Sequence, residues 1–489
     1  MQAAFSLSLV WSNTAYGDEA AHILQGRLEW SHWLHGTLYV PQQFGDYAAP
    51  QIYPLIGAAA NDVGGLAAAR ILAMCFMLAG SVFLYQIGLK LFGRTAALAG
   101  VALWAVSEPV LRLTFANWDP LACLLVIASL RVAVQVGGSR RKGELVALSA
   151  LILALAAVTA LPFLIYVPVV VTVALLIWIE QMGVRLAVWC ASWLAFGSLL
   201  IMGLLFTVFH LWVYLFEAAL NPGVANGLGQ GISTVIRGAW ARDGLIFAVA
   251  CAGAVTALAT EKRSRGILVA ALAVAILPDP LYQAHLGTAF ALDKQISAGS
   301  GLAALAAGYL VARCKPATWR PLVCSMAAAA LLIYPAFIGL WYARSTFHSW
   351  PNTGRIVRVL APVAKSNRPV LVTDFGAFWS AVPEYYLGGN QAHWLNYHPT
   401  ELTAVRRGLY AAVVVDLPLT GLQSPAMSAY ATAPGLSTSN GTTTRLLQVS
   451  PLVAALEHNR YYRLTAVIPY KTTATVGDAV GVWALWVRR

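Results

Sequence analysis

The stretch Asn117-Trp118-Asp119-Pro120-Leu121-Ala122-Cys123-Leu124-Leu125-Val126-Ile127-Ala128-Ser129-Leu130-Arg131-Val132-Ala133-Val134-Gln135-Val136-Gly137-Gly138-Ser139-Arg140-Arg141-Lys142 decides the fold class. From Pro120 to Val136 it is almost wholly apolar, close to the roughly 20 residues that a helix needs to cross a bilayer. An acid and a proline stand at its head, and three consecutive cations follow its tail. Cations crowd the cytoplasmic ends of membrane helices, so this is one oriented crossing.

The pattern repeats along the chain. Hydrophobic residues make up 59% of the 489 residues and charged ones 11%, with a mean hydropathy of +0.67. Soluble domains carry about 25% charged residues, so a soluble globule is excluded. The formal charge of +12 is held in short clusters between apolar runs: Lys90 to Arg94, Ser139 to Lys142, Glu180 to Arg185, Glu261 to Arg265, and Arg313 with Lys315 and Arg320. That is the placement of cytoplasmic loops, and it argues against a nucleic-acid partner. The six cysteines lie in or beside apolar segments without metal-ligand spacing, so neither disulfides nor a zinc-thiolate site is expected.

Taken in order, residues 1 to 12 form a shortened first span, and no basic head precedes them as a signal peptide would require. Residues 12 to 69 read as an outside loop whose helix, Asp18 to Trp33, lies on the bilayer with Trp11, Trp30 and Trp33 at headgroup level. A semi-polar helix, Gln51 to Ala69, leads to spans at 70 to 89, 95 to 111 and 120 to 136. Residues 145 to 180 exceed one span and break at Thr159-Ala160-Leu161-Pro162, since proline disrupts a helix interior. Further spans run from 186 to 214, beyond which lies the loop Asn221 to Gly231, then over 244 to 260, from 267, over 296 to 312 and over 321 to 342. The tally is about eleven crossings with the basic clusters on one side. The expectation is an α-helical polytopic membrane protein, with a membrane domain over 1–344 and a soluble α/β domain over 345–489 outside the cytoplasm. Short apolar strands (Val370 to Val372, Ala411 to Val415, Leu464 to Ile468, Val482 to Val487) alternating with helix-like stretches (Arg355 to Lys365, Phe378 to Tyr386) give the α/β reading.

This topology gathers Asp18, Glu19, His22, Asp46, Asp119, His285, Asp293 and Lys294 on the outside. Ionisable groups at membrane level are costly and mark candidate sites. Each also has a structural explanation. Asp119, ahead of Pro120, can cap its helix, and Asp18-Glu19 can cap theirs. Lys294 can snorkel from the end of its span. His22, one turn from Asp18, fits an interface better than a metal site, although the pair with a distant carboxylate could hold a divalent cation.

The order of these features resembles the GT-C membrane glycosyltransferases, in particular the superfamily of dolichyl-phosphate-mannose protein mannosyltransferases and aminoarabinose transferases. The resemblance rests on a short first span, Asp18-Glu19 and an amphipathic helix. It continues through Tyr47-Ala48-Ala49-Pro50-Gln51-Ile52-Tyr53-Pro54-Leu55, Ala69-Arg70-Ile71, Leu91-Phe92-Gly93-Arg94 and Asn117-Trp118-Asp119-Pro120-Leu121. It implies an inverting transfer of sugar from a polyprenyl-phosphate donor to a cell-envelope acceptor on the outer side of the membrane. In that scheme Asp18 is the base, and Glu19, Asp119 and His22 support the acceptor or a metal. Lys294, with Arg237 or Arg242, binds the donor phosphate. A divalent cation is optional and no organic cofactor is implied. Where aminoarabinose transferases carry an Arg after the first acid and Glu-Lys before Pro-Pro, this chain has Ala21, Ala48-Ala49 and a single Pro50, so the acceptor stays open among polysaccharide, glycolipid and protein. A lipid-linked-sugar flippase is the alternative; such folds tend to show two related halves, and the sequence shows no such repeat.

Overall fold

The computed structural model describes residues 1–37, 52–209, 211–212, 215, 232–286, 291–313, 321–347, 349–373, 380–389, 392–418, 451–474 and 477–489. The Pro50 segment, Asp46, the loop Asn221 to Gly231 and the cations Lys315 and Arg320 lie outside the described residues. The chain divides into two compact units, Met1–Val10 with Gln43–Ala343, and Trp11–Gln42 with Arg344–Arg489. The boundary at 343 falls where composition changes. The segment Trp11–Gln42, which the sequence places with the membrane helices, groups instead with the C-terminal residues.

The first unit is helical: α1 (Gln2–Val10), α3 (Tyr53–Phe92), α4 (Arg94–Ala105), α5 (Glu108–Arg112), α6 (Asp119–Ala133), α7 (Lys142–Thr159), α8 (Tyr166–Met182), α9 (Val184–Val208), α10 (Ile232–Thr260), α11 (Arg263–Val274), α12 (Pro278–Leu286), α13 (Leu292–Gln295), α14 (Ser297–Arg313) and α15 (Pro321–Thr346), the last running into the second unit. Seven stretches among the described residues are long and apolar enough to cross a membrane: Tyr53–Phe92, Asp119–Gly138, Lys142–Thr159, Leu161–Met182, Val184–Val208, Ile232–Thr260 and Arg263–Leu286. The protein is a multi-pass membrane protein. Seven is fewer than the crossings expected, partly because α4 has 12 residues and α14 has 17. The expected span over 95 to 111 ends at Ala105 and gives way to the separate α5. The break at Pro162 is present: Ala160 is extended and a short 3-10 turn, Leu161–Ile165, separates α7 from α8. α3 is two helical stretches meeting at a kink at Gly64–Gly65, where Gly65 takes φ of 67°.

α14 forms the centre of this unit. Every residue from Ser297 to Tyr309 is buried, and most are Ala, Gly or Ser. Lipid tails are as apolar as leucine, so helix association in a bilayer depends on close backbone approach between small side chains. A Cβ on Gly308 would lie 2.2 Å from the Ala96 carbonyl oxygen of α4, and one on Gly253 of α10 would lie 2.4 Å from that of Ala306. Indole and phenol groups find backbone partners: Trp104 Nε1 donates to Ser297 O at 2.8 Å and Tyr166 Oη to Gln295 O at 2.9 Å.

The second unit holds α2 (Gly17–His35), α16 (Gly354–Leu360), α17 (Ala381–Leu387), α18 (Leu402–Arg406) and a five-stranded mixed sheet. Its strands are β1 (Val370–Val372), β2 (Trp394–Asn396), β3 (Ala412–Pro418), β4 (Tyr462–Ala474) and β5 (Gly477–Arg488), in the order β2-β1-β3-β5-β4. β1 is parallel to both neighbours, and β5 is antiparallel to β3 and β4. The four expected strands are present, and β2 is an added edge strand. Leu371, Val413, Val415, Leu452, Leu456, Tyr462, Val482 and Trp486 form its core. The segment before α2 is tied to this unit by side chains distant in sequence. Asn13 Nδ2 donates to Trp350 O at 2.8 Å, Trp350 Nε1 to Thr14 O at 2.9 Å and Tyr386 Oη accepts from Ala15 N at 2.8 Å.

Candidate active site

In the first unit the site grows from the head of α6. Pro120 suits the first helical turn because its missing N–H would be unsatisfied there in any case. Asn117 Oδ1 accepts the Asp119 N–H at 3.1 Å in the turn leading into the helix, whose capping position is Trp118. The Asp119 carboxylate has Oδ2 3.6 Å from Lys294 Nζ, with both side chains buried. Lys294 is therefore not snorkelling.

Its neighbour in α13 makes the converse pair: Asp293 Oδ2 is 3.2 Å from Nε of Arg112, the last residue of α5. The segment 112–119 thus presents a base then an acid, and α13 answers with an acid then a base. Arg112 also lies 5.1 Å from the Phe115 ring centre, and the fully buried Arg70 lies 5.2 Å from the same ring while donating to Val10 O at 3.0 Å. Arg242 Nε is 3.3 Å from Glu108 Oε1. Burial pushes the Glu108 carboxyl up to about 7; Arg242 opposes the rise, Asp293 adds to it, and Arg112 opposes it.

Two more buried carboxylates complete the cluster. Asp243 of α10 is near enough to Glu108 and Arg242 for their charges to interact, and Asp279 of α12 is so placed toward Asp119 and Asp293. Gln283 Nε2 donates to Gln295 Oε1 at 2.7 Å. Glu108, Asp119, Asp243, Asp279 and Asp293 thus face Arg112, Arg242 and Lys294. Buried ion pairs are poor stability devices in general, and ionisable groups collected inside a membrane protein point to function.

The remaining expected residues lie elsewhere. Arg237 is exposed on α10 and its Nε donates to Ser233 O one turn back, so it is not part of the cluster. In the second unit, Asp18 is half-buried in the first turn of α2, while Glu19 and His22 are buried. Glu19 Oε2 accepts the Tyr16 N–H at 3.4 Å, which makes Glu19 the capping acid of the pair and separates its role from that of Asp18. Among the described residues no three His, Cys, Asp or Glu side chains are arranged to hold a metal.

Helix order and the buried charges at the helix heads can be set against solved structures. ArnT from Cupriavidus metallidurans bound to undecaprenyl phosphate superposes with a TM-score of 0.56 at 12% identity, over 98% of this chain and 96% of that one. This is the GT-C fold. The GT-C oligosaccharyltransferase AglB from Archaeoglobus fulgidus, in complex with an inhibitory peptide and a dolichol-phosphate, matches with a TM-score of 0.55 at 10% identity over 85% of this chain and 69% of that one. The same enzyme with Zn and sulfate matches at 0.55 and 13% identity over 98% and 72%. No family profile and no curated protein sequence matches the chain.

Within this GT-C fold, Glu108 and the site roles of Asp243 and Asp279 escaped the sequence reading. A signal was available. Glu108-Pro109, Asp119-Pro120 and Asp279-Pro280 are three acid-proline pairs, each in the first turn of a helix, and all three acids are buried in the one cluster.

Proposed function

We propose that this chain is a membrane glycosyltransferase that takes a sugar from a lipid-phosphate carrier and delivers it to a cell-envelope acceptor outside the cytoplasm. The observation that carries the reading is the cluster around Asp119 and Lys294 on a fold whose solved examples include one bound to undecaprenyl phosphate and one bound to a dolichol-phosphate. A lipid phosphate leaving an anomeric carbon gains negative charge, and buried cations held at the head of a membrane helix are suited to receive it.

In this scheme the acceptor oxygen attacks the anomeric carbon as the bond from that carbon to the phosphate oxygen breaks. Asp18 takes the acceptor's proton, because a hydroxyl is a weak nucleophile until a carboxylate withdraws it. Lys294 and Arg242 are the phosphate-binding candidates, with Arg237 as a peripheral one. Asp119 holds the Lys294 ammonium until the donor arrives, and Glu19 and His22 support the Asp18 helix. The C-terminal unit lies on the outer side, as the charge asymmetry of the loops suggests.

The test is transfer from a panel of polyprenyl-phosphate sugars by the purified protein, read as release of the polyprenyl phosphate, with Asp18→Asn and Lys294→Met alongside. Release by the parent and its loss in both variants is expected. No release from any donor, or equal release by Asp18→Asn, would overturn the scheme.

A further inference from the structure

The second unit carries a recess that the transfer scheme does not use. A shallow, open depression is lined by Arg406, Arg407, His458, Arg460, Asn459 and Tyr461, with Pro451 and two alanines completing its floor. Three guanidinium groups and an imidazole face it and no acid lines it. Arg406, Arg407, His458 and Arg460 are all exposed.

The recess is built rather than a chance grouping of surface arginines. One wall is the end of α18, the other the turn over 458–461, and Asn459 joins them. Its Nδ2 donates to Val405 O at 3.0 Å and to Arg406 O at 3.3 Å at the helix end, while its Oδ1 accepts the Tyr461 N–H at 2.9 Å. Gly408, at φ of 67°, turns the chain beneath Tyr461, and a Cβ there would meet that ring at 2.7 Å. The Tyr461 ring in turn carries the Arg460 guanidinium at 4.9 Å and that of Arg488 at 5.9 Å. Arg460 Nη2 also donates to Tyr461 Oη at 2.9 Å, so Tyr461 fixes this arginine while its remaining N–H groups can meet an anion.

We infer that this recess binds an anionic glycan, one bearing carboxylate or phosphate groups. Arginine matches such groups with paired hydrogen bonds, and several of them in one concave wall favour a ligand with several charges. The lining holds no Leu, Ile, Val, Met or Phe. Its amide, tyrosine and small residues suit sugar hydroxyls and ring faces, whereas adhesion to a bilayer draws on inserting apolar side chains around the cations. The inference rests on the second unit alone and stands independently of the transfer scheme.

The test uses the full-length protein in uncharged detergent and measures binding of oligogalacturonate, with neutral dextran, inorganic phosphate and phosphatidylglycerol vesicles as comparisons. Oligogalacturonate is expected to bind more tightly than the other three and to weaken as salt rises. The triple variant Arg406→Ser, Arg407→Ser, Arg460→Ser should lose roughly tenfold or more in affinity. Arg355→Ser with Arg358→Ser, which removes exposed charge from α16 of the same unit, should leave binding unchanged. Equal affinity for dextran, preference for the vesicles or for phosphate alone, undiminished binding by the triple variant, or equal loss in the α16 control would each overturn the inference.

Discussion

Lys294 Nζ stands 3.6 Å from Asp119 Oδ2 in a setting where both side chains are buried. Removing one member of such a pair strands the other's charge, at about 3–5 kcal/mol. Lys294→Met alone should therefore lower the thermal midpoint in detergent sharply. Lys294→Met with Asp119→Asn should recover most of it while transfer stays absent, and a double variant as unstable as the single one would refute the pairing.

Arg112 with Asp293 offers a reversal. Arg112→Asp and Asp293→Arg each replace the opposite-charge pair by like charges at a partly buried position and should destabilise the helical unit. Combined, they restore opposite charge, and the midpoint should rise again toward the parent's. Additive losses in the double variant would show that the ion pair does not join the 112–119 segment to α13.

The two acids at the start of α2 should separate by readout. Asp18→Asn is expected to reduce transfer by about 10²–10⁴-fold, the span of general-base catalysis, with little change in stability. Glu19→Ala removes the capping acceptor for the Tyr16 N–H, and about 0.5–2 kcal/mol of stability should go with it. Identical kinetic losses in the two variants would erase the distinction.

Glu384 gives a pH dependence in the second unit. Burial raises its carboxyl from 4.5 to about 7. The folded state then holds a proton that the unfolded state has released, so stability declines as pH rises from about 4.5 to about 7 and is level beyond. Glu384→Gln should flatten that decline, as measured by thermal unfolding across the window. A parent whose stability rises over the same range would contradict the assignment.

Close packing at Gly308 is also open to test. An alanine there would set its Cβ 2.2 Å from the Ala96 oxygen, and α14 would have to move off α4. Overpacking of this order costs about 1–3 kcal/mol or more. Unchanged thermal unfolding by Gly308→Ala would mean that the two helices do not touch there.

Hydropathy and charge placement made the membrane class legible, since length and apolarity are properties of each segment alone. The Pro162 break and the four principal strands were legible for the same reason. The partners of Asp119 and Asp293 were not: nothing in positions 112, 119, 293 and 294 shows that the segments cross in opposite charge order, because pairing depends on how helices pack. Glu108 was hidden by being read inside a span over 95 to 111, although its proline neighbour signalled a helix start. The grouping of Trp11–Gln42 with the C-terminal residues was likewise beyond local pattern, being made by hydrogen bonds such as Trp350 Nε1 to Thr14 O, 336 positions apart.

Those bonds also set a schedule. Asn13, Thr14 and Ala15 precede the long membrane helices described above, yet Trp350, Thr353 and Tyr386, which hold them, follow those helices in the chain. Contacts this distant in sequence form late, because the intervening chain must first be ordered. The Asp18 segment must therefore wait through membrane insertion, and a chain released after Ala343 would carry Asp18 without the side chains that hold its segment. The unit that bears the proposed base is completed only after the helices between its two segments have been made.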